Sequence, residues 1–333
     1  AAPGVVGRVN VGILAGTIEQ TNMFERSWIT LITVSGDVTG DTYVGGLAGL
    51  TDADEDSRVE FAHNRMVSGK VTGKNNVGGL VGKFVNGSIY NSYSEAEIVS
   101  TQVTGGLLGF ATQSDISRSY STGTVQATGS SIGGLVGVSL ENDIETSYAT
   151  GDVAGDNQIA GLIGYSSLDS IEHSYAAGHV DATGTIHGGL IANNSDSSSE
   201  VTASYWDTTV SGEEDADESD ASLYGIGRSS SAMMDEATFT SATEESDKWD
   251  FEEVWFMEIG RYPQLYGILG IKFNVEPDYV SGQQTHAHEI TVEPDTNLLF
   301  PGQSIDVYQV TENGDEKVGT ITENSNATVP FAL

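Results

Sequence analysis

Two hydrophobic patterns alternate along this chain. One is a short apolar run built on glycine, as in "SSIGGLVGVSL" at 130 to 140, with near copies "YVGGLAGL", "NVGGLVGK", "VTGGLLGF", "QIAGLIGY" and "IHGGLIAN". The other is an alternation of apolar and polar residues, as in "ISRSYSTGTV", bounded by Gly, Ser, Thr and Asn. A period of two over four to six residues predicts short β-strands, because successive side chains of a strand point to opposite faces.

The leucines of the glycine motif are Leu14, Leu47, Leu80, Leu107, Leu135, Leu162 and Leu190, separated by 33, 33, 27, 28, 27 and 28 residues. A near-constant period of this size marks the coil of a solenoid. Two other landmarks keep step with it. "SGDV" (35–38), "SGKV" (68–71), "TGTV" (122–125), "TGDV" (150–153) and "AGHV" (177–180) place their Gly 11 or 12 residues before the motif Leu. A tyrosine series, Tyr93, Tyr120, Tyr148, Tyr175 and Tyr205, follows a serine each time, three residues ahead of that Gly where both occur.

The pattern predicts an all-β fold, a parallel β-helix of about seven coils with roughly three strands in each, stacked at about 4.8 Å. Ile116 and Tyr120 are expected to face inward, with Tyr120 over Tyr93 and under Tyr148, each stacked pair adding about 0.5–1.5 kcal/mol beyond burial. The motif leucines are the expected core, at roughly 1.5–3 kcal/mol per coil. Each motif glycine is replaced once, by Ala160, Ile13 and Ala192. Isoleucine tolerates a left-handed backbone badly, so small volume at a crowded corner explains the glycines better than positive φ. A phosphate-cradling loop would need a helix after the glycines, and none is predicted.

The units "GLAG", "GLVG", "GLLG", "GLVG" and "GLIG", each about eleven residues after an "SG.V" element and followed by an "I..SY" strand, resemble the GLUG-motif repeats of bacterial and archaeal surface proteins. The "SYWDTTVSG" at 204 to 212 and the Trp-rich "KWDFEEVWFMEIGRYPQLYG" at 248 to 267 resemble the family's closing segment. The resemblance covers roughly residues 5 to 267. It implies a scaffold or adhesin without an active site of its own, of the kind found in stalks of large surface proteins and beside protease domains. Ile13 in the first coil and "GGLIAN" in the last depart from the pattern, as end coils do.

Two coils carry about six extra residues at one corner, within "TIEQTNMFERSW" (17–28) and "TDADEDSRVEFAH" (51–63). Insertions in repeats map to one face and often form a binding face. Phe24 and Trp28 are candidates for a sugar or partner contact, although covering the open end of the solenoid is the favoured reading. Asp52, Asp54 and Asp56 in one loop, and the acidic run at 213 to 220, are candidates for Ca²⁺. They lack the Gly at the sixth and the Glu at the twelfth position of an EF-hand loop, so no metal site is assigned.

Composition narrows the function. Of 333 residues, 13 are Lys or Arg and 48 Asp or Glu, a formal charge of −35. Such a surface has few cations to neutralise phosphates or anionic lipids, which argues against nucleic acid and against direct membrane insertion. Acid excess with little lysine suits a salt-adapted, halophile surface protein, archaeal in the expected case. There is no cysteine, no apolar run of 18 residues and no basic-then-apolar start in "AAPGVVGRVN". The expected location is extracellular, at the cell surface, with any export signal removed. Asn86, Asn193 and Asn326 stand in N-x-S/T sequons, candidates for glycosylation.

Catalysis in a β-helix needs carboxylates clustered on neighbouring coils. The row after the landmark glycines runs Asp37, Lys70, Glu97, Thr124, Asp152 and His179, mixed in character. His173, His179 and His187 lie too far apart along the strands for one metal, and His286 with His288 lacks a third ligand. No catalytic residue and no cofactor beyond Ca²⁺ is expected.

After Tyr266 the period is lost. "IKFNV", "HEITV", "IDVYQV", "VGTIT" and "ATVPFAL" read as strands of a small β-sandwich, Ig-like module. The expected organisation is a solenoid at 1–205, its closing segment at 206–267 and the sandwich at 268–333. The expected role is a non-catalytic scaffold presenting a binding surface to a cell-surface glycan or protein, or to copies of itself. The alternatives are a filament subunit joined through its terminal strand and a viral tail spike with carbohydrate-cleaving activity.

Overall fold

The computed structural model describes residues 4–20, 26–54, 57–213, 221–266, 271–275, 287–294, 304–311, 314–322 and 327–332. The chain divides into two compact units, Ala1–Leu265 and Tyr266–Leu333.

The first unit is a parallel β-solenoid. One coil shows its construction: the strands Glu97–Ser100, Thr104–Gly105, Leu108–Thr112, Asp115–Ser117 and Tyr120–Ser121 follow one another around the axis. Each pairs in parallel with its counterparts in the coils above and below, giving a first to a fifth sheet in that order. Four sheets have seven strands and the fifth has eight. A coil therefore holds five short strands, where the alternation alone predicts about three.

The extra strands arise because corners are turned without loops. Among the described residues seventeen other than Gly have positive φ, and sixteen of these fall in three corner rows. One row is Asn10, Tyr43, Asn76, Ser131 and Gln158; a second is Asn86, Gln113, Glu141 and Leu168; a third runs from Leu31 and His63 through Asn91, Arg118, Thr146 and His173 to Ala203. One left-handed residue redirects the chain within a step, so strand pairing resumes at once.

Core rows run along the axis in register. Val38, Val71, Ile98, Val125, Val153 and Val180 line the first sheet. Phe61, Ile89, Ile116, Ile144, Ile171 and Val201 line the fourth. Leu47, Leu80, Leu107, Leu135, Leu162 and Leu190 are buried, as expected, but Leu14 is 47 % exposed. In that coil Ile13 packs against the core instead. Among the described residues this coil pairs only with the coil of Leu47, and the motif there exchanges its two positions.

The motif glycines keep ordinary φ, and crowding is their reason. A Cβ on Gly106 would lie 2.1 Å from the Gly134 carbonyl oxygen, and one on Gly134 would lie 2.0 Å from that of Gly161. Positive φ appears instead in the second landmark, at Gly36 and Gly69.

Polar side chains hold the corners. Ser92, Ser119, Ser147, Ser174 and Ser204, the serines before each tyrosine, form a buried ladder. The backbone N–H of Ser119 donates to Ser147 Oγ over 3.2 Å, and that of Ser147 to Ser174 Oγ over 3.1 Å. Each hydroxyl in turn donates to the carbonyl two residues before it, as Ser147 does to Glu145 over 2.9 Å. A second ladder runs through Ser114, Asn142, Asp169 and Ser199, each accepting from a backbone N–H of the coil before. Buried backbone donors thus find partners where strand pairing lapses.

In the second unit Ala287–Pro294 pairs antiparallel with Ile271–Val275 on one side and Ala327–Ala332 on the other. Ser304–Thr311 and Gly314–Thr322 form a second, two-stranded antiparallel sheet.

Candidate functional site

The tyrosines point outward, contrary to the expectation for Tyr120. The next residue faces in: a Cβ on Gly79, Gly106 or Gly134 would strike Ser94, Ser121 or Ala149. On the outer face of the fifth sheet the rings of Tyr93, Tyr120, Tyr148 and Tyr175 stack at 4.7, 4.7 and 4.9 Å, within 9° of parallel. The stacking order follows the sequence reading; the burial has a different source. Trp255 lies 6.1 Å from the Tyr148 ring and 6.0 Å from that of Tyr175, and Trp249 stacks on Trp255 at 4.5 Å. The Trp-rich segment therefore lies over the ladder, and burial pushes the phenols of Tyr148 and Tyr175 up.

"YWD" divides three tasks. Tyr205 ends the outer row, set edge-on to Phe239 at 5.2 Å. Trp206 faces inward, 3 % exposed, over Gly189 at the end of the core. Asp207 is fully buried and caps the helix Thr208–Ser211, accepting from the N–H groups of Thr209 and Val210. It also accepts from the Tyr262 hydroxyl at 2.7 Å. Desolvation and this carboxylate push the Tyr262 phenol up to about 12.

The sequence-derived site residues are dispersed. Trp28 sits in the strand Arg26–Thr30 in register with Glu60 and keeps 61 % of its surface exposed, so it does not cover the open end. Asp52 is exposed at the outer edge of the third sheet, opposite Glu19, and Asp54 is exposed beyond it. Phe24, Asp56 and Asn326 lie outside the described residues. Asn86 is a left-handed corner residue whose amide donates to the Ala53 carbonyl at 2.6 Å. Asn193 lies half-buried on the third sheet.

The histidines make contacts with the closing segment. His173 Nε2 is 2.8 Å from the Ser246 carbonyl, His179 Nδ1 is 3.0 Å from that of Val210, and His187 Nδ1 is 2.8 Å from the Glu213 carboxylate. Among the described residues no group of three or more carboxylates and histidines is placed to hold a metal.

Carboxylates do meet on a sheet that the sequence reading overlooked. On the outer face of the fourth sheet Asp115 is in register with Asp143, and Glu145 with Glu172. Asp115 is ion-paired with Arg58, and Asp143, Glu145 and Glu172 are exposed to solvent. The one carboxylate withdrawn from water in the ladders is Asp169, 3 % exposed. Desolvation raises its pKa to about 6 against the opposing bond from Ser166 Oγ.

A further outer row lies on the third sheet. Leu50, Lys83, Phe110, Val138 and Tyr165 succeed one another in register, each half-buried by its neighbours. Reading only the inward positions of "GGLxG" hides it, because these residues stand three places after the motif leucine.

Comparison with known families matches the GLUG motif to residues 100–126, one coil of the solenoid. No curated protein and no solved structure matches the chain.

Proposed function

We propose, from the premise that this chain is a GLUG-repeat β-helix protein, that it serves as a non-catalytic extracellular scaffold presenting a binding surface at the cell surface. One observation carries this reading: two ladders of buried polar side chains at the corners are engaged in holding the next coil. The two corner ladders use their serines, Asn142 and Asp169 to bind backbone N–H groups, and Tyr148 and Tyr175 of the tyrosine ladder are covered by the chain's own tryptophans. A fold that commits polar and aromatic groups to coil-to-coil contact supports length and rigidity, the demands of a stalk.

The strong negative charge supports a surface kept soluble at high salt, where self-repulsion is screened. A filament built through the terminal strand is the second reading. Ala327–Ala332 is an edge strand, yet it holds Pro330 opposite Glu289, and a proline without an N–H blunts an edge.

Antibody labelling of intact source cells tests the location, and incubation with polysaccharides, scored for new reducing or unsaturated ends, tests the chemistry. Surface labelling without cleavage is the expected result. Labelling only after permeabilisation, or cleavage at a turnover rate, would overturn it.

A further inference from the structure

On the outer face of the third sheet the four strands from Val81 to Ser167 present eight outward positions, of which five, Val85, Phe110, Val138, Leu140 and Tyr165, are apolar. Behind Leu50, Phe110, Val138 and Tyr165 runs a second outward column in which Val85 and Leu140 alternate with Thr112 and Ser167, and Asp52 stands beside Leu50 at its end. The strands Val81–Val85, Leu108–Thr112, Val136–Leu140 and Ile163–Ser167 carry no carboxylate, although the fourth sheet beside them is acidic on its outer face. The single cation, Lys83, lies over aromatic rings, 5.6 Å from the centroid of Phe110 and 5.7 Å from that of Tyr43.

The dimensions select the occupant. From Leu50 to Tyr165 is four coil steps, about 19 Å, and the two columns are about 7 Å apart. A strip on the order of 200 Å² falls far short of the roughly 800 Å² per partner that a stable protein interface buries, so a second copy is a poor fit. An extended peptide gains its affinity from an open strand edge. Here the backbone groups of every inner strand are paired along the axis with the coils on both sides. What remains is a long, thin platform with aromatic rings at Phe110 and Tyr165, two coils or about 9.6 Å apart. That spacing approaches the length of a disaccharide unit in an extended polysaccharide, and sugar rings present C–H faces to aromatic side chains. A charge of −35 repels polyanions.

We infer that the outer face of the third sheet binds a neutral, linear polysaccharide along the solenoid axis, with Phe110 and Tyr165 as its stacking platforms. The inference rests on the scaffold reading and names its ligand class.

Affinity electrophoresis in native gels containing mixed-linkage β-glucan, galactomannan, dextran or, as a polyanion control, alginate decides it. The full chain is expected to be retarded by at least one neutral polymer and not by alginate. Phe110→Ala and Tyr165→Ala should each weaken retardation by about tenfold. Tyr165→Phe, which keeps the ring, and Leu168→Ala, an exposed residue off the strip, should leave it unchanged. Unchanged melting temperatures in the same variants establish that the fold is intact. No retardation by any neutral polymer, or retardation indifferent to both alanine variants, overturns the inference and leaves the scaffold reading standing. Release of shortened chains from the same polymers overturns the non-catalytic reading, while the alanine variants still decide the platform.

Discussion

The hydroxyl of Tyr175 donates to the carbonyl oxygen of Pro263 at 2.7 Å, tying the stacked ladder to a segment 88 residues further along. With Trp249 and Trp255 on the neighbouring rings, this bond makes residues 249 to 263 a clasp along three coils. Trp255→Ala should cost about 3–5 kcal/mol by removing a fully buried indole. Because coils contact only their neighbours, the loss should appear first as local release of the clasp. Hydrogen exchange should speed up at residues 237 to 265 and at Tyr148 and Tyr175, with little change at Val38 or Val71. A uniform change across all coils, or none, would show that the clasp is not a separate element.

The serine before each tyrosine is the next test. Ser147 accepts from the Ser119 N–H and donates to the Glu145 carbonyl. Ser147→Ala leaves a buried donor unpaired and should cost about 1–3 kcal/mol in urea unfolding. Ser117→Ala, half-buried on the outer face of the fourth sheet, should stay within about 0.5 kcal/mol. Equal effects at the two sites would remove the ladder from the account.

Crowding and left-handed geometry can be separated by two glycines. A Cβ on Gly106 meets backbone and the Ser121 hydroxyl at about van der Waals overlap, 2.1 and 2.2 Å, whereas Gly260 has a φ of 75° and nothing within 4 Å. Gly106→Ala should therefore cost more than about 3 kcal/mol or abolish folding. Gly260→Ala should cost only the left-handed backbone, about 1–2 kcal/mol. A mild effect at Gly106, read from the melting temperature, would mean that the coils can separate locally.

How much of this was legible in the sequence depended on which side of the chain carried the pattern. The Leu47 to Leu190 series and the glycine substitutions gave the coil period, the parallel stacking and the crowded corner. The tyrosine series gave the stacking order but not its face, because a regular row of rings is periodic whether it points inward or outward. Only the distant Trp249 and Trp255, with no periodic relation to the ladder, decide that Tyr148 faces out. Left-handed corners at Arg118, Thr146 and Leu168 have no residue signature, so five strands per coil were read as about three. The Phe110 and Tyr165 row was hidden because it lies on the outward side of the strands, three places after the motif leucine, and Lys83 interrupts it.

Asp169 gives a prediction whose sign can be worked out. Its Oδ1 accepts from the Asn142 N–H at 2.9 Å, as Asn142 Oδ1 accepts from Ser114 one coil earlier. The folded pKa of about 6 lies above the ordinary 3.8, with desolvation the leading cause. Between those values the folded chain binds more protons than the unfolded one, so this group's contribution is fully present below about pH 4 and is lost as pH rises through about 6. At pH 7 the ionised, buried carboxylate lowers stability by about 2–3 kcal/mol. Asparagine at this position keeps the acceptor for Asn142, and its amide has a model in Asn142 itself, which donates to the Ala111 carbonyl at 3.1 Å and to Ser139 Oγ at 2.7 Å. Asp169→Asn should therefore be more stable than the wild type at pH 7 by that amount, and the two should converge near pH 4. Urea unfolding of both proteins across pH 4 to 7.5 measures the difference directly. A gap that does not shrink as pH falls would assign the stability of the ladder to packing and not to the charge.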